Sequence, residues 1–276
     1  MVDFPNAKIN LGLHITERRP DGFHNLESVF CAIDYCDVLE IQPEKSLQFS
    51  SSGLEIPPST SGNLCLQAYR LLQEEFDLPP VHIHLHKVIP IGAGLGGGSA
   101  DAAFTLKMLK QLFDLKLRPE QLEEYARQLG SDCPFFIRNE SRFCEGTGDI
   151  FTPCHLPLQD YKAHVVYPGI HVSTAEAYRG INPKKADTNL RQSLQQEAVD
   201  NWKTFLVNDF EQVIFPRYPE LIKIKEQLYE AGALYVAMSG SGSCIYGIFE
   251  ASSSYQGENL PSNYTYWQAN FLSNHQ

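Results

Sequence analysis

Three things are scarce in this 276-residue sequence: basic residues, paired cysteines and long apolar runs. Lys and Arg total 22 against 33 Asp and Glu, so the formal net charge at pH 7 is -11. A nucleic-acid-binding protein normally carries a basic face, and the lack of any Lys/Arg-rich stretch excludes nucleic-acid polymers as partners. No apolar run approaches the roughly 18 residues of a membrane span, and the N-terminus lacks the apolar core of a signal peptide. The sequence therefore predicts a cytoplasmic protein with no membrane partner.

Cysteine occurs at seven scattered positions, and no two of them form a Cys-x-x-Cys pair. This spacing disfavours a disulfide scaffold and a structural zinc site, and it favours reduced cysteines that serve as small buried hydrophobes. Apolar material is plentiful, with 43% hydrophobic and 11% aromatic residues, enough for a sizeable core. At roughly 150 residues per domain, the length predicts one large or two modest domains.

The periodicity of apolar residues predicts a mixture of strands and helices. Strands are predicted at 8–15, 26–32, 38–42, 47–50, 81–87, 163–167, 234–237 and 244–249. Helices are predicted at 63–75, 99–113, 119–130, 201–213 and 219–231, and the third of them opens at a proline and ends at a glycine. The polar segment 183–200 is interpreted as a linker or a surface loop. Because strands and helices do not alternate regularly, an α+β fold class is favoured over a doubly wound sheet.

The most informative segment is a glycine-rich loop, Pro-Ile-Gly-Ala-Gly-Leu-Gly-Gly-Gly-Ser-Ala-Asp-Ala-Ala at 90–103. Five glycines fall within seven positions, and Ser99 stands where the N-cap of the following helix is expected. Glycine lets the backbone approach a ligand closely, and the start of a helix offers unpaired N–H groups and the positive end of the helix dipole. The segment therefore predicts a phosphate-binding site rather than a flexible turn.

Three common phosphate-binding classes do not fit this loop. A P-loop requires Gly-Lys-Ser/Thr at the helix start, and here Gly98 is followed directly by Ser99. The dinucleotide pattern Gly-x-Gly-x-x-Gly is present, but the segment that should be its second strand, 117–129, has helical periodicity. The downstream His-Arg-Asp and Asp-Phe-Gly motifs of protein kinases are missing.

The segment 90–100 resembles the phosphate loop of the GHMP kinases, the superfamily of galactokinase, homoserine kinase, mevalonate kinase and phosphomevalonate kinase. Two further superfamily landmarks occur in the expected order, the Pro-x-x-Lys-x-Asn segment at 5–10 and the small-residue loop Met-Ser-Gly-Ser-Gly-Ser-Cys at 238–244. The resemblance implies a two-domain α+β architecture. An ATP-binding N-terminal domain like domain 2 of ribosomal protein S5 would span 1–157. A ferredoxin-like C-terminal domain contributing to the substrate site would span 158–276.

Within the superfamily, the sequence is most similar to the branch that phosphorylates diphosphocytidyl methylerythritol in non-mevalonate isoprenoid biosynthesis. Four segments carry this likeness: Asp-Gly-Phe-His-Asn-Leu at 21–26, Gly-Ser-Asp-Cys-Pro-Phe-Phe at 130–136, Glu-Gly-x-Gly at 145–148 and Asn-Asp at 208–209. Two departures occur, because Phe23 replaces the usual Tyr and Ala100 replaces a usual Ser. The last 25 or so residues carry no motif.

The resemblance implies that Asp132 is the catalytic base and that Lys8 is the cation at the reacting centre. From spacing alone, Asp132 also fits a helix-capping role, and Lys8 also fits a surface position on an edge strand. The substrate-binding residues that the resemblance implies are Asn10, Phe23, His24, Thr174 and Tyr178, with Phe23 and Tyr178 sandwiching cytosine and His24 reading its edge.

The resemblance also implies ATP as the phosphoryl donor, with Mg²⁺ accompanying it and Ser99 as a candidate Mg²⁺ ligand. The implied ATP-binding residues are Asn63 and Lys87, at the border of the adenine pocket, and the loop residues Pro90, Ile91, Gly92, Ala93, Gly94, Leu95, Gly96, Gly97, Gly98, Ser99 and Ala100. No dedicated protein metal site is expected.

Three histidines, His82, His84 and His86, alternate along one predicted strand. One strand face bearing three imidazoles could bind a metal, but such a pattern more often marks the wetter face of a half-buried strand. The alternatives to the closest branch are another small-molecule GHMP kinase, of the homoserine or mevalonate type, and a catalytically silent nucleotide-binding regulator. The expected oligomeric state is a monomer or a weak homodimer.

Overall fold

The computed structural model describes residues 1–57, 62–184 and 189–272. Its strands are β1 (Val2–Asp3), β2 (Asn6–Arg18), β3 (His24–Cys36), β4 (Val38–Pro43), β5 (Gln48–Gly53), β6 (Val81–Lys87), β7 (Arg142–Glu145), β8 (Ile150–Pro153), β9 (Tyr161–Tyr167), β10 (Tyr235–Met238), β11 (Ile245–Glu250) and β12 (Thr265–Asn270). Its α-helices are α1 (Leu64–Phe76), α2 (Gly97–Leu112), α3 (Pro119–Leu129), α4 (Cys133–Arg138), α5 (Thr174–Arg179), α6 (Leu190–Gln196), α7 (Glu211–Ile214) and α8 (Pro219–Glu230).

The chain divides into two compact units, and neither unit is one continuous segment. The first unit comprises 1–7, 36–91 and 96–139, and the second comprises 8–35, 92–95 and 140–276. The glycine-rich loop therefore changes unit twice, at its beginning and again before α2. The domain boundary at residue 157 expected from the sequence stays a prediction. None of the helices in the described part of the chain is long and apolar enough to cross a membrane.

The first unit contains a four-stranded sheet in the order β1-β4-β6-β5 together with α1 to α4. Strand β6 runs antiparallel to β4 and parallel to β5. Alternation along β6 buries Val81, Ile83 and Leu85 completely or almost completely, whereas the three histidines between and after them are half-buried or exposed. This period of two explains why the sequence identified the strand. Helix α3 opens at Pro119 and is C-capped by Gly130, as predicted.

The second unit contains two sheets, ordered β2-β3-β7-β8 and β10-β11-β9-β12. All pairs in the latter sheet are antiparallel, and in chain order its strands are arranged 2-3-1-4, the strand order of a ferredoxin-like sheet. The expected α+β class is therefore confirmed. In the described residues, the connection from β11 to β12 contains no helix, which is a departure from the full ferredoxin-like motif.

The C-terminal segment, which carried no sequence motif, forms the edge strand β12. Trp267 of this strand stacks on buried Tyr35 with ring centroids 4.7 Å apart. The side chain of Asn270 donates to Asp34 Oδ2 over 2.6 Å, and the N–H of Leu272 donates to the carbonyl oxygen of Ala32 over 2.9 Å. The segment thus completes one sheet of the second unit and is held against β3 by ring stacking and hydrogen bonds.

One predicted helix, at 201–213, is wrong. The chain instead forms a 3₁₀ helix over Val199–Thr204 and then the short α7, with an interruption at Asn208 and Asp209. The interruption arises because both residues direct their side chains to other segments: the Asn208 amide donates to Met238, and Asp209 accepts from the N–H of Ile15. The polar segment 183–200 contains α6, and its residues 185–188 lie outside the described residues.

Candidate active site

Lys8 is held in the interior of the second unit by β2 and its neighbours. Its side chain is nearly inaccessible, and its Nζ donates to Asn10 Oδ1 over 2.6 Å. The ammonium also lies 4.5 Å from the centroid of the Phe30 ring, a cation–π distance. Asn10 is fixed in turn, because its Nδ2 donates to Ser28 Oγ over 3.0 Å. Lys8 therefore does not lie on the surface of an edge strand, the alternative that its sequence position left open.

The first half of the glycine-rich loop, Gly92–Leu95, belongs to the same unit as Lys8. The backbone N–H of Lys8 donates to the carbonyl oxygen of Leu95 over 2.9 Å. The N–H of Cys244 donates to the carbonyl of Ala93 over 3.1 Å, and Ser239 Oγ donates to that of Gly94 over 2.9 Å. Within the second unit, Gly92–Leu95 is thus hydrogen-bonded both to Lys8 and to the small-residue loop at 238–244.

Gly94 lies directly against the backbone of the 238–244 loop. Its φ is +80°, and a Cβ placed on it would lie only 2.0 Å from the carbonyl oxygen of Ser239. No side chain is compatible with both the backbone conformation and this distance. Close approach of the two loops, rather than flexibility, is therefore the reason for glycine at position 94.

Asn208 explains a landmark to which the sequence assigned no role. Its Nδ2 donates to the carbonyl oxygens of Met238 and Gly240, over 2.7 and 2.8 Å. Its Oδ1 accepts from the N–H of Phe210 over 3.0 Å. A single buried amide therefore holds the turn whose Ser239 contacts Gly94.

The second half of the loop leads into α2 in the first unit. The N-cap is Gly96, with a φ of +72°, and Ser99 is the third residue of the helix. The expected capping role of Ser99 is therefore wrong, because glycine can take the left-handed conformation that starts the helix earlier. Among the described residues, no side chain of the N-cap residue satisfies the first N–H groups of α2, and such groups at a helix start bind anions. Gly98 is exposed and Gly96 is half-exposed, which leaves this backbone accessible.

Asp132 lies in the same unit as this helix start. It is the half-exposed N-cap residue of α4, which packs against α2. The Ser99 hydroxyl hydrogen-bonds with the thiol of the adjacent Cys133, whose pKa is raised to about 12 by burial. Among the described residues, the Asp132 side chain makes no capping hydrogen bond with the first turn of α4. Asp132 therefore occupies the N-cap position without capping the helix through its side chain, and it lies close to the loop because its neighbour Cys133 contacts Ser99.

The side chains of Lys87 and Asn63 both form polar contacts within the first unit. The Lys87 ammonium is buried and pairs with Asp37 Oδ2 and, over 2.7 Å, with Asp101 Oδ2. Asn63 is the N-cap of α1, with its Oδ1 accepting from the N–H of Cys65 over 2.8 Å. A place for these two residues at the border of an adenine pocket stays a prediction, and for Lys87 it would have to involve groups other than the ammonium.

The residues expected to bind cytidine belong to the second unit. His24 stacks on Tyr178 with centroids 5.0 Å apart and an interplanar angle of 26°. Burial, followed by the charge of Arg18, lowers the pKa of His24. Phe23 is 65% exposed beside His24, at the start of β3, and among the described residues it is His24 rather than Phe23 that stacks on Tyr178. The hydroxyl of exposed Thr174 lies 3.1 Å from that of Ser241.

The three histidines of β6 alternate with serines of the parallel strand β5. Ser50 Oγ lies 2.7 Å from His82 Nε2 and 2.8 Å from His84 Nδ1. Ser52 Oγ lies 3.0 Å from His84 Nε2 and 2.9 Å from His86 Nδ1. No group of three or more His, Cys, Asp or Glu side chains in the described part of the chain could hold a metal ion. The histidines therefore form a hydrogen-bonded polar ladder on the wetter face of the sheet.

Comparison with known proteins gives a direct answer about the family. The model of the GHMP kinases N terminal domain matches residues 63–140, and that of the GHMP kinases C terminal domain matches residues 187–259. A 4-diphosphocytidyl-2-C-methyl-D-erythritol kinase of Azobacteroides pseudotrichonymphae genomovar. CFP2 is 52% identical over 250 residues, 91% of this chain and 94% of that protein. The chain belongs to the 4-diphosphocytidyl-2-C-methyl-D-erythritol kinase family.

Solved structures support the same assignment to this GHMP kinase family. A crystal structure of 4-(cytidine 5'-diphospho)-2C-methyl-D-erythritol kinase matches with a TM-score of 0.84 and 32% identity over 98% of this chain and 99% of that chain. Homoserine kinase from Cytophaga hutchinsonii ATCC 33406 matches with a TM-score of 0.73 but only 16% identity, over 98% and 96% of the two chains. The likeness to homoserine kinase shows the shared fold alone. The family assignment therefore favours a diphosphocytidyl methylerythritol kinase over a homoserine-type kinase.

Some residues that hold the candidate site in place could not be recognised from the sequence. Asn208 belonged to a landmark, but its contact with the small-residue loop depends on a pairing across 30 and 32 positions of the chain. Asp101 lay inside the glycine-rich segment, and a partner for its carboxylate was not visible there. Nothing in the sequence marked Asp37 as a site residue, because a single Asp before a strand is ordinary in a surface turn.

Proposed function

We propose that this protein transfers the γ-phosphoryl group of ATP to the 2-hydroxyl of 4-diphosphocytidyl-2-C-methyl-D-erythritol, a step of non-mevalonate isoprenoid precursor biosynthesis. The observation that carries the proposal is the hydrogen-bonded assembly of Lys8, the first half of the glycine-rich loop and the 238–244 loop. It holds a buried cation against the glycine-rich loop, and relatives that are 52% and 32% identical to this chain are named for this substrate.

ATP would bind along the glycine-rich loop, from Pro90 to Ala100. Phosphoryl transfer needs mainly alignment and stabilisation of charge, and exposed backbone N–H groups at the start of α2 supply both. The half-exposed backbone at Gly96 and the exposed backbone at Gly98 leave space for phosphate oxygens. Asn63 and Lys87 stay, by resemblance, candidates for the border of the adenine pocket.

Asp132 is proposed as the general base. It would accept the proton of the 2-hydroxyl as that oxygen forms its bond to the γ-phosphorus, while the bond from the γ-phosphorus to the β–γ bridging oxygen breaks and ADP leaves. Lys8, by resemblance, would stabilise the negative charge at this centre. Because loose phosphoryl transition states need little base assistance, an electrostatic role for Asp132 is the competing account.

Mg²⁺ is proposed to accompany ATP. The residues present fit this cation, because Mg²⁺ retains several waters and phosphate ligands and needs only one or two groups from the protein. Ser99, a half-exposed residue on the first turn of α2, is the candidate ligand through its hydroxyl. When bound, the cation would neutralise phosphate charge.

The cytidine group is proposed to contact Phe23, His24 and Tyr178, with Asn10 and Thr174 near the remainder of the substrate. The exposed ring of Phe23 is free to stack on a base, whereas His24 now covers one face of Tyr178. Base binding between the Phe23 and Tyr178 rings would therefore require His24 to leave that face. The Tyr178→Ala variant should raise KM for the cytidine substrate about tenfold and leave KM for ATP within about twofold, because one stacking face is worth roughly 1–3 kcal/mol. Equal changes in the two KM values would contradict the clamp.

The deciding experiment measures ATP consumption with three acceptors: the diphosphocytidyl methylerythritol, homoserine and mevalonate. We expect turnover with the first alone. The Asp132→Asn variant should lose about 10²–10⁴-fold in kcat with an unchanged melting curve. The matched control is Asp114→Asn, an exposed carboxylate paired with Lys116, whose positive φ asparagine tolerates well. Near-wild-type turnover of folded Asp132→Asn would refute the base, and turnover with another acceptor would refute the proposed substrate.

A further inference from the structure

Three charged side chains are buried together in the first unit: Asp37, Lys87 and Asp101. Lys87 is the last residue of β6, Asp37 precedes β4, and Asp101 lies on the second turn of α2. Lys87 Nζ donates to both carboxylates through their Oδ2 atoms. Burial of charged groups is costly unless they pair, and here one ammonium is shared by two carboxyl groups.

The triad joins the two ends of the glycine-rich loop that lie in this unit. Asp37 Oδ1 accepts from the N–H groups of Val88 and Ile89, over 2.6 and 2.9 Å, so it fixes the chain between β6 and the loop. Asp101 lies five residues after the N-cap Gly96, so it fixes the helix that leaves the loop. The Lys87 ammonium is the link between these two carboxylates.

Gly97, on the first turn of α2, is packed directly on this link. A Cβ at position 97 would lie 2.9 Å from Lys87 Nζ and 2.9 Å from Ile89 Cγ2. That Cβ would point into the unit rather than toward solvent, since Gly97 is buried. The first turn of α2 therefore lies directly against the Lys87 ammonium and Ile89, with no room for a side chain at position 97.

Stability alone does not account for such a triad. Replacing a buried ion group by apolar side chains of similar volume is often neutral or stabilising, so paired charges in an interior are better explained by the geometry they impose. The geometry imposed here is the separation between the strand that enters the loop and the first turn of α2.

We propose that Lys87, held by Asp37 and Asp101, is a positioning residue for the nucleotide: it fixes the first turn of α2 in the place where its N–H groups bind the phosphates of ATP. Lys87 acts through the backbone of Gly96–Gly98 and does not itself touch the phosphates. This proposal rests on the proposed function, because it assumes that the loop binds ATP.

The test compares Asp101→Ala, which removes the partner of Lys87 on α2, with Asp101→Asn, which keeps an oxygen acceptor of the same size. ADP affinity is measured by calorimetry, and kcat and both KM values are measured by ATP consumption. For Asp101→Ala we expect ADP affinity to fall and KM for ATP to rise about tenfold, with kcat within threefold and KM for the cytidine substrate unchanged. Asp101→Asn should recover most of the affinity. The matched control is Glu74→Ala, which removes one exposed carboxylate from α1 and should leave every parameter unchanged.

Two results would overturn the proposal. One is an Asp101→Ala variant that folds and binds ADP as the wild type does; the other is a proportional change in both KM values, which indicates a general structural role. If Asp101→Ala does not fold, Gly97→Ala decides, because its Cβ displaces the same link without removing a charge, and unchanged ADP affinity there refutes the idea. Failure of the proposed function would look different: the wild type would bind ADP but would not phosphorylate the cytidine substrate.

Discussion

The two halves of the glycine-rich loop are held by different chemistry. Gly92–Leu95 is held by neutral groups, namely backbone N–H donors of Lys8 and Cys244 and the hydroxyl of Ser239. The half that begins at Gly96 is held by buried charges, through Lys87 and its two carboxylates. Neutral hydrogen bonds are insensitive to protons over the physiological range, whereas a buried carboxylate is not. We therefore expect one loop to combine a pH-insensitive attachment with a pH-sensitive one.

The two halves of the loop also differ in the kind of group that lies against their glycines. In the neutral half, glycine is required because two backbones approach each other at Gly94 and Ser239. In the charged half, glycine is required because a side-chain ammonium lies against Gly97. A backbone contact cannot be relieved by a change of side-chain rotamer, while a lysine side chain has some freedom to move. Adding a side chain at Gly94 should therefore have a larger effect than adding one at Gly97.

The largest effect is expected for Gly94→Ala. The left-handed backbone costs about 1–2 kcal/mol for a non-glycine residue, and moving the Ser239 carbonyl away from the new Cβ adds a similar amount. Urea denaturation should show a free energy of unfolding lower by roughly 2–4 kcal/mol. Gly98→Ala is the matched control for stability, since its nearest neighbour is Leu64 Cδ1 at 3.7 Å and alanine favours a helix by roughly 0.5–1 kcal/mol. Equal effects of the two alanines would remove the distinction between the halves.

A smaller, pH-dependent effect is expected for Asp101→Asn. Burial first, and the neighbouring Asp37 carboxylate as well, raise the pKa of Asp101 from 3.8 to about 7, against the opposing effect of Lys87. The folded protein thus binds a proton between pH 4 and 7 that the unfolded chain has released, so this group's contribution to stability is complete below about pH 4 and is lost as pH rises through about 7. The groups that face it are Asp37, Lys87 and the Cys65 thiol.

The measurement is the free energy of unfolding of the wild type and of Asp101→Asn between pH 4 and 8. The wild type should lose stability relative to the variant as pH rises, because asparagine does not titrate. A difference that stays constant over this range would show that Asp101 keeps an ordinary pKa in the fold. The charged half of the loop would then be no more sensitive to pH than the neutral half.

The strand and the helix on either side of the glycine-rich loop could be predicted from the sequence. The contacts that hold the loop in place could not. Alternation of apolar residues located β6, and amphipathic spacing located α2, because both elements bury one face against a core. The order of three motifs was sufficient to indicate the superfamily. The start of α2 was misplaced by two residues, since the capping preference of Ser99 is overridden where glycines can adopt the left-handed conformation.

The partners of the site residues could not be predicted, because they depend on contacts between residues that are distant in the chain. Asp37 and Lys87 are 50 positions apart, and Ser239 and Gly94 are 145 positions apart. The helix predicted at 201–213 failed for the same reason. The side chains of Asn208 and Asp209 form hydrogen bonds with distant segments. These tertiary contacts interrupt a segment whose local periodicity is helical.

The smallest effect is expected for Ser239→Ala, which completes the comparison from the neutral side. The change removes one hydrogen bond, from Ser239 Oγ to the carbonyl oxygen of Gly94, in a fully buried position. It should lower the free energy of unfolding by about 1 kcal/mol, the typical net value of such a bond. Because neither partner titrates, the difference from wild type should be the same at pH 4 and pH 7, in contrast to Asp101→Asn. A pH-dependent difference for Ser239→Ala would mean that the charged triad acts on both halves of the loop, and the two attachments would then have to be treated as one.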